Sequence, residues 1–323
     1  MNFMIDKLWY KKQPSRWILW PLAILYQIIT GCRRVYLKSF RQHKFSVPII
    51  VVGNLTVGGV GKTPLVIAIA KQCVEKGLRV GIVSRGYGAR TKQFPYEISQ
   101  KDEAELVGDE PYLIAQKTSC PVVISPKRVQ AVQYLLDKYQ SQIIISDDGL
   151  QHYAMGRAIE IVVIDGTRQL GNGFCLPAGP LRESPGRLQK ADLIVVNSGE
   201  WPNAHPMDLK PGKLIHLASG QEIEKSVLST PVAAVAAIGN PQRFFRTLQN
   251  LGIAFIKYPF PDHHPFCIND MQFAENDVIM TEKDAVKCRP FAANSWYFLP
   301  VEAKLCDSFW QALWTHEQLQ GLR

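Results

Sequence analysis

Short apolar runs, each closed by glycine or polar residues, recur along this 323-residue chain. Residues 49–52, 80–84, 142–147, 159–165 and 192–197 are short and largely continuous rather than alternating. That pattern predicts strands buried on both faces, as in a parallel sheet covered by helices. Between the first two runs, residues 65–74 are apolar nearly all round and stop before Gly77, a good residue for closing a helix. Past position 212, residues 213–218, 232–238, 254–258 and 277–281 read as further strands. Gly239-Asn240-Pro241 opens another helix. Trp201, Pro202, Pro206, Pro211 and Gly212 break the pattern and mark a boundary. The pattern predicts an α/β fold: a mostly parallel sheet sandwiched by helices over 46–210, then a smaller α/β unit over 211–323.

Ahead of the first strand the pattern differs. Residues 17–29 form one apolar run of Trp, Ile, Leu and Tyr, shorter than the ~20 residues of a membrane-spanning helix. No small-residue cleavage site follows it, which argues against a secretory signal. Charge then changes the picture. The chain carries a net +9, yet nine basic residues fall within 1–45 (Lys7, Lys11, Lys12, Arg16, Arg33, Arg34, Lys38, Arg41, Lys44) against Asp6 alone. Such a segment is either a core-packing helix with a solvated rim or a helix lying in an anionic membrane interface. The concentration of charge, with Trp17, Trp20 and Tyr26 beside it, favours the membrane. The remainder is almost neutral, which argues against a nucleic-acid-binding surface. Seven scattered cysteines, with no C-x-x-C pair, suit a reducing compartment rather than a disulfide or zinc framework.

Candidate chemistry sits at strand ends. Thr56-Val57-Gly58-Gly59-Val60-Gly61-Lys62-Thr63 follows the first strand and opens a helix, the context of a P-loop. There, backbone N–H groups and a helix N-terminus hold phosphates, the lysine reaches the β- and γ-phosphates, and the hydroxyl sits on Mg²⁺. Thr56 stands where the usual motif has its first glycine. Asp147-Asp148 ends the strand at 142–147. Alone this would be an ordinary solvated turn; beside a P-loop it reads as the pair of acids that serves Mg²⁺, with either as the nearer ligand. Asp109-Glu110 precedes a helical stretch from Tyr112, where acids are favoured electrostatically in any case. Asp262-His263-His264 is a candidate acid–base element.

These blocks resemble those of the tetraacyldisaccharide 4′-kinase family, the lipid A kinases of Gram-negative bacteria. The resemblance rests on Gly53-Asn54 through Lys62-Thr63-Pro64, Ser84-Arg85-Gly86-Tyr87-Gly88, Gly108-Asp109-Glu110-Pro111 and Asp147-Asp148-Gly149-Leu150-Gln151-His152. It continues through Leu176-Pro177-Ala178-Gly179-Pro180-Leu181-Arg182-Glu183, Gly239-Asn240-Pro241, Phe260-Pro261-Asp262-His263 and Thr281-Glu282-Lys283-Asp284-Ala285-Val286-Lys287. It implies transfer of the ATP γ-phosphate to the 4′-hydroxyl of an acylated disaccharide 1-phosphate, at the cytoplasmic face of the inner membrane. No nucleic acid and no obligate protein partner are expected. Carried over by position, Asp109 and His263 activate the hydroxyl and Lys62 and Thr63 hold phosphate and Mg²⁺. Asp147 and Asp148 are the metal-side acids, and Arg85, Arg128, Gln151, Arg182 and Glu183 lie around the cleft. The resemblance also implies two α/β/α domains joined by a short β-ribbon, with the active site between them.

Two rival functions follow from the same residues. A switch GTPase needs an Asn-Lys-x-Asp-like motif after a late strand, and Asn197-Ser198-Gly199-Glu200 lacks its Lys and Asp. A membrane-bound ATPase of positioning or scaffold type needs the P-loop and the basic helix, but has no use for Asp109 or His263.

Overall fold

A computed structural model describes residues 8–11 and 16–322. Asp6, Lys7 and Lys12 of the N-terminal charge cluster lie outside the described residues. The chain enters through a 25-residue helix, α1 (Arg16–Phe40), with Pro21 in its first turns. The first sheet collects β1 (Ile49–Gly53), β2 (Val80–Ser84), β3 (Tyr96–Glu97), β4 (Val122–Ile124), β5 (Ile143–Asp147), β6 (Ile159–Asp165), β7 (Leu193–Asn197) and β8 (His205–Pro211). Among these, α2 (Lys62–Glu75), α3 (Ala104–Val107), α4 (Asp109–Lys117) and α5 (Arg128–Tyr139) make the crossovers. The sheet order is β8-β7-β6-β1-β5-β2-β4-β3, parallel except for β3 at the edge.

The continuous apolar runs have a simple cause. Strand β1 sends Ile50 and Val52 into a core with Leu65, Val66 and Ile69 of α2. Its alternate residues Ile49 and Val51 meet Val132 and Leu135 of α5 on the opposite face. With both faces buried, no polar residue is tolerated within the strand, and polarity returns where β1, β2, β5 and β6 end. Those carboxyl ends carry the P-loop, Arg85, Asp147-Asp148 and Asp165.

The second sheet contains β9 (Leu214–His216), β10 (Glu222–Ile223), β11 (Val232–Ala236), β12 (Phe255–Pro259), β13 (Val278–Thr281) and β14 (Trp296–Leu299), in the order β10-β9-β14-β13-β11-β12. Helices α6 (Pro241–Asn250) and α7 (Glu282–Cys288) belong to this unit. The chain then leaves it: β15 (Val301–Leu305) pairs antiparallel with β8 from Val301↔Pro211 to Leu305↔Met207. Helix α8 (Asp307–Thr315) buries Phe309 and Leu313 in the first core. The unit expected over 211–323 is therefore an insertion of residues 212–300, and the C-terminal segment returns to the larger sheet. The stretch read as a boundary contains β8, which sits inside the sheet between β7 and β15. The β8–β15 pair is the two-stranded ribbon through which both chain crossings pass, with the Gly212 N–H donating to the Pro300 carbonyl at 2.9 Å.

Candidate active site

At the end of β1 the chain turns through residues 54–61 into α2. Gly58 and Gly61 have φ of 107° and 99°, a region that side-chain-bearing residues rarely adopt. Space is short as well, since a Cβ on Gly61 would lie 2.5 Å from Asn197 Nδ2. That amide donates to the Val60 carbonyl at 2.8 Å. From inside the loop, Asn54 Nδ2 donates to the Thr56 carbonyl at 2.6 Å and Asn54 Oδ1 accepts from Lys62 Nζ at 3.0 Å. The loop is thus braced by two asparagines, with the first-turn N–H groups of α2, which lack helical acceptors, behind it. Residues 57–63 line a cleft of about 970 Å³ between the two domains. Thr56 is buried and bridges to Leu181, so it supports the loop rather than facing the cleft.

The two acids after β5 have different surroundings. Asp148 accepts from Arg182 at 3.0 and 2.9 Å, one contact to each oxygen, and lies 3.5 Å from Lys62 Nζ. Burial alone would raise its pKa, but Lys62 and Arg182 outweigh burial and hold the carboxyl well below the usual range. Asp147 is 1% exposed, and its Oδ2 accepts from the Ser84 hydroxyl at 3.2 Å. Its Oδ1 is buried without a hydrogen-bond partner. Burial, with Glu110 and Asp148 nearby, pushes this carboxyl up to about 7.

Asp109 and His263 are 154 residues apart and meet across the cleft. His263 Nδ1 lies 3.2 and 3.1 Å from the two carboxylate oxygens of Asp109. Asp109 is the first residue of α4, so a buried carboxylate sits at a helix N-terminus, where negative charge is favoured. Burial opposes ionisation, but the His263 hydrogen bond and the Lys283 charge outweigh it and hold Asp109 at about 2. His263 is correspondingly raised, chiefly by its hydrogen bond to Asp109. It has φ 60°, an uncommon backbone for a histidine and a local strain of the kind that collects at functional sites. Its neighbour His264 turns away to Asp270 Oδ2 at 3.2 Å and stacks among Phe260 and Phe266, a structural position.

Of the other residues expected around the cleft, Arg85, Arg128, Gln151 and Arg182 border it, and Glu183 lies behind it. Arg85 is exposed, and among the described residues it has no hydrogen-bond or ion-pair partner. Arg128 is 3% exposed and donates to the carbonyls of Asp147 and Asp148 at 2.7 and 2.9 Å, which orients the acids. Gln151 donates to the Asn54 carbonyl at 3.3 Å and to Glu183 at 3.0 Å. Glu183 also accepts from the Tyr153 hydroxyl and pairs with Arg34 of α1 at 3.6 Å. Sequence reasoning missed Asn197, Asp165, Arg243 and Lys283. Only Lys283 carried a signal, inside the block Thr281-Glu282-Lys283-Asp284.

Comparison with known proteins gives a consistent result. The family model for tetraacyldisaccharide-1-P 4′-kinase matches residues 15–318. A tetraacyldisaccharide 4′-kinase of Legionella pneumophila is 59% identical over 321 residues, covering 99% of each chain. The enzyme of that name from Aeromonas hydrophila is 45% identical over 316 residues, covering 96% of this chain and 95% of its own. Among solved structures, LpxK from Aquifex aeolicus in complex with ATP is similar at a TM-score of 0.77 and 28% identity. That match covers 94% of this chain and 99% of the other.

Proposed function

The chain belongs to the tetraacyldisaccharide 4′-kinase family, and from that premise we propose how its own residues carry out the transfer. It is an ATP-dependent kinase of the lipid A precursor, acting on the 4′-hydroxyl of the tetraacyldisaccharide 1-phosphate. The observation that carries the residue assignment is the approach of His263 to Asp109 at 3.1 Å, over a cleft floored by the P-loop. A positioning or scaffold ATPase would have no need of that pair.

Phosphoryl transfer depends on in-line positioning and charge neutralisation more than on covalent chemistry. Residues 57–63 cradle the phosphates, and Lys62 exchanges its contacts with Asn54 and Asp148 for the β- and γ-phosphate oxygens. Asp109, held ionised, accepts the proton of the 4′-hydroxyl, and His263 orients that carboxylate or relays the proton. Arg85, exposed and without a hydrogen-bond or ion-pair partner among the described residues, is a cation available to a phosphate in the cleft.

The residues fit Mg²⁺. Asp147 Oδ1 is buried and unpartnered, and the Thr63 side chain borders the same cleft. Among the described residues no group of three or more His, Cys, Asp or Glu surrounds a metal position. Protein ligands would therefore be few, as is usual for Mg²⁺ bound with phosphates and water. The ion, when bound, neutralises charge on the phosphate oxygens. Asp147 is the acid we assign to it, because Asp148 is already committed to Arg182.

We further propose that α1 sets the enzyme on an anionic membrane, at the cytoplasmic face of the inner membrane where ATP is available. Ile18 is 79% exposed and Ile29 58%, while Tyr26 on another side of the helix donates to the Arg182 carbonyl at 3.3 Å. No helix among the described residues is long and apolar enough to cross a membrane, and the reading is of a helix lying on the surface. Tyr26 also borders the cleft, which would bring acyl chains and sugar to one edge.

Following labelled γ-phosphate into the lipid tests these roles. Lys62→Ala, Asp109→Ala and His263→Ala should each lose transfer, and full activity of the Asp109 variant would remove it as the base. For the membrane, Ile18→Glu with Ile29→Glu should weaken binding to anionic vesicles, most clearly at low salt. Unchanged binding would refute the docking helix.

A further inference from the structure

Lys283 is the second residue of α7, on the inserted domain, and its side chain is only 17% exposed. Its ammonium donates to Glu110 Oε1 at 2.9 Å, across the domain boundary. It lies 3.7 Å from Asp109 Oδ2 and 3.7 Å from Asp262 Oδ1. It also approaches His263 Nε2 at 3.4 Å. One buried cation therefore serves three carboxylates and the far nitrogen of the imidazole whose near nitrogen meets Asp109.

That last contact constrains the tautomer. A lysine ammonium has donors and no acceptor, so the ring nitrogen facing it at hydrogen-bond distance must be the one without a proton. The proton of a neutral His263 then sits on Nδ1 and is donated to Asp109. The alternative, an imidazolium, would set a second cation against Lys283, with Asp262 Oδ1 at 3.8 Å as its available acceptor on that side. Asp109 and Lys283 thus pull the ring in opposite directions, the first favouring the imidazolium and the second the neutral form. The other charged or titratable groups facing this cluster are Glu110 on α4, Tyr87 after β2, Asp262 before His263 and Lys287 on α7.

We propose that Lys283 is a positioning residue that holds the Asp109–His263 pair together across the domain boundary and sets the neutral ring of His263, when it forms, as the Nδ1–H tautomer. This rests on the reading of Asp109 as the base. Asp109 and Glu110 come from the first domain, His263 and Lys283 from the second. One ammonium therefore ties both partners across the domain boundary, and the hydroxyl-activating pair depends on that tie.

The test uses the full chain with ATP, Mg²⁺ and the lipid substrate. Lys283→Met should lower kcat by about 10²-fold, the scale of a misplaced reacting group, while the KM for ATP stays within about twofold because the P-loop is untouched. Lys283→Arg, which keeps the charge, should recover part of the loss. The double variant Lys283→Met with Asp109→Asn should be no slower than Asp109→Asn alone, since the lysine acts through the base. Nitrogen-15 spectra of His263 with a non-hydrolysable nucleotide should show a protonated Nδ1 and bare Nε2 at pH 8.5, with a titration point that rises in Lys283→Met. Multiplicative losses in the double variant, or an unmoved titration point and tautomer, would overturn the proposal. Wild-type activity of Asp109→Asn would instead overturn the base assignment beneath it, and the nitrogen-15 result would still judge Lys283.

Discussion

Besides the Lys117–Glu282 ion pair at 2.7 Å, the inserted domain meets the P-loop domain through two polar bridges, and they differ in how completely they are satisfied. On one side, Asp165 at the end of β6 is 2% exposed and saturated. Its Oδ2 accepts from Arg243 at 2.6 Å and Asn240 at 3.2 Å, and its Oδ1 from the Thr167 hydroxyl and backbone at 2.6 and 3.0 Å. Beside it, Arg168 donates to the Gly239 carbonyl at 2.9 Å. On the other side, the contacts among Asp109, His263, Lys283 and Asp262 are no fewer but longer, from 3.1 to 3.8 Å, and Asp262 Oδ1 is buried without a hydrogen bond. A saturated buried network fixes one arrangement, whereas an unsaturated one has groups left over for a ligand. The first bridge reads as the support that registers the domains, the second as the place where the chemistry occurs.

The sharpest way to break this contrast is to remove one carboxylate charge from each bridge. Asp109→Asn should lower kcat by about 10²–10⁴-fold, the range of a positioned general base, far beyond what its loss of stability accounts for. Asp165→Asn should do the reverse. It leaves Arg243, largely buried, short of its counter-charge. We expect a stability loss of about 1–3 kcal/mol, below the full cost of an orphaned buried charge because Arg243 keeps 21% exposure. Activity should change less than about tenfold if the support reading is right, because Asp165 then touches no reacting group. Urea denaturation beside the phosphate-transfer assay separates the two, and matching profiles for both variants would erase the distinction.

The sequence foretold one half of this picture far better than the other. The P-loop and Asp147-Asp148 were legible because strand, loop and helix signals are local, and the buried β1 and β5 announce themselves by unbroken apolar runs. Asp109 and His263 were each singled out locally but paired only through resemblance, since nothing within 154 residues of chain states that they meet. Strand β8 was not read as a strand within the boundary at 201–212, because Pro206 and Pro211 supply no ladder donor. Its place comes from partners on both sides, β7 and the distant β15. The return of β15 and α8 to the first core was hidden for the same reason. Strand alternation in Val301–Leu305 says that a sheet edge is nearby, and tertiary pairing alone says which sheet. Asp165 and Arg243 gave no signal at all, because a buried support looks like any acid at a strand end and any arginine on a helix.

A smaller perturbation sharpens the contrast at the backbone. Gly239 lies directly over the phosphate loop, and a Cβ there would sit 2.4 Å from the Gly59 nitrogen. Gly239→Ala should therefore hold the supporting bridge slightly apart, at a cost of about 1–3 kcal/mol on the observed packing. The expected reading is a raised KM for ATP with the Asp109–His263 pH dependence retained. A variant with normal KM would mean that the packing of Gly239 against the loop does not bear on ATP binding.

The smallest expected effect is a difference in pH response between the bridges. Asp109 and Asp165 are both lowered, each with burial outweighed by its partner: His263 and Lys283 for the first, Arg243 and Thr167 for the second. Each therefore adds stability that is present above its unfolded pKa and is lost as pH falls; for Asp109 that window runs from 3.8 down to about 2. His263 is raised, so its contribution is full below 6.5 and is lost as pH rises through its folded value. Between pH 6 and 9 no group of the Asp165 bridge changes charge, while the imidazole does. Hydrogen exchange at α4 and α7 should accelerate relative to α6 across that range, after correction for intrinsic rates. The difference should vanish in His263→Ala, because the titrating partner of Asp109 is gone. Equal acceleration at both bridges, or a difference that survives the substitution, would mean that the two contacts open as one unit and that the imidazole does not loosen the catalytic side.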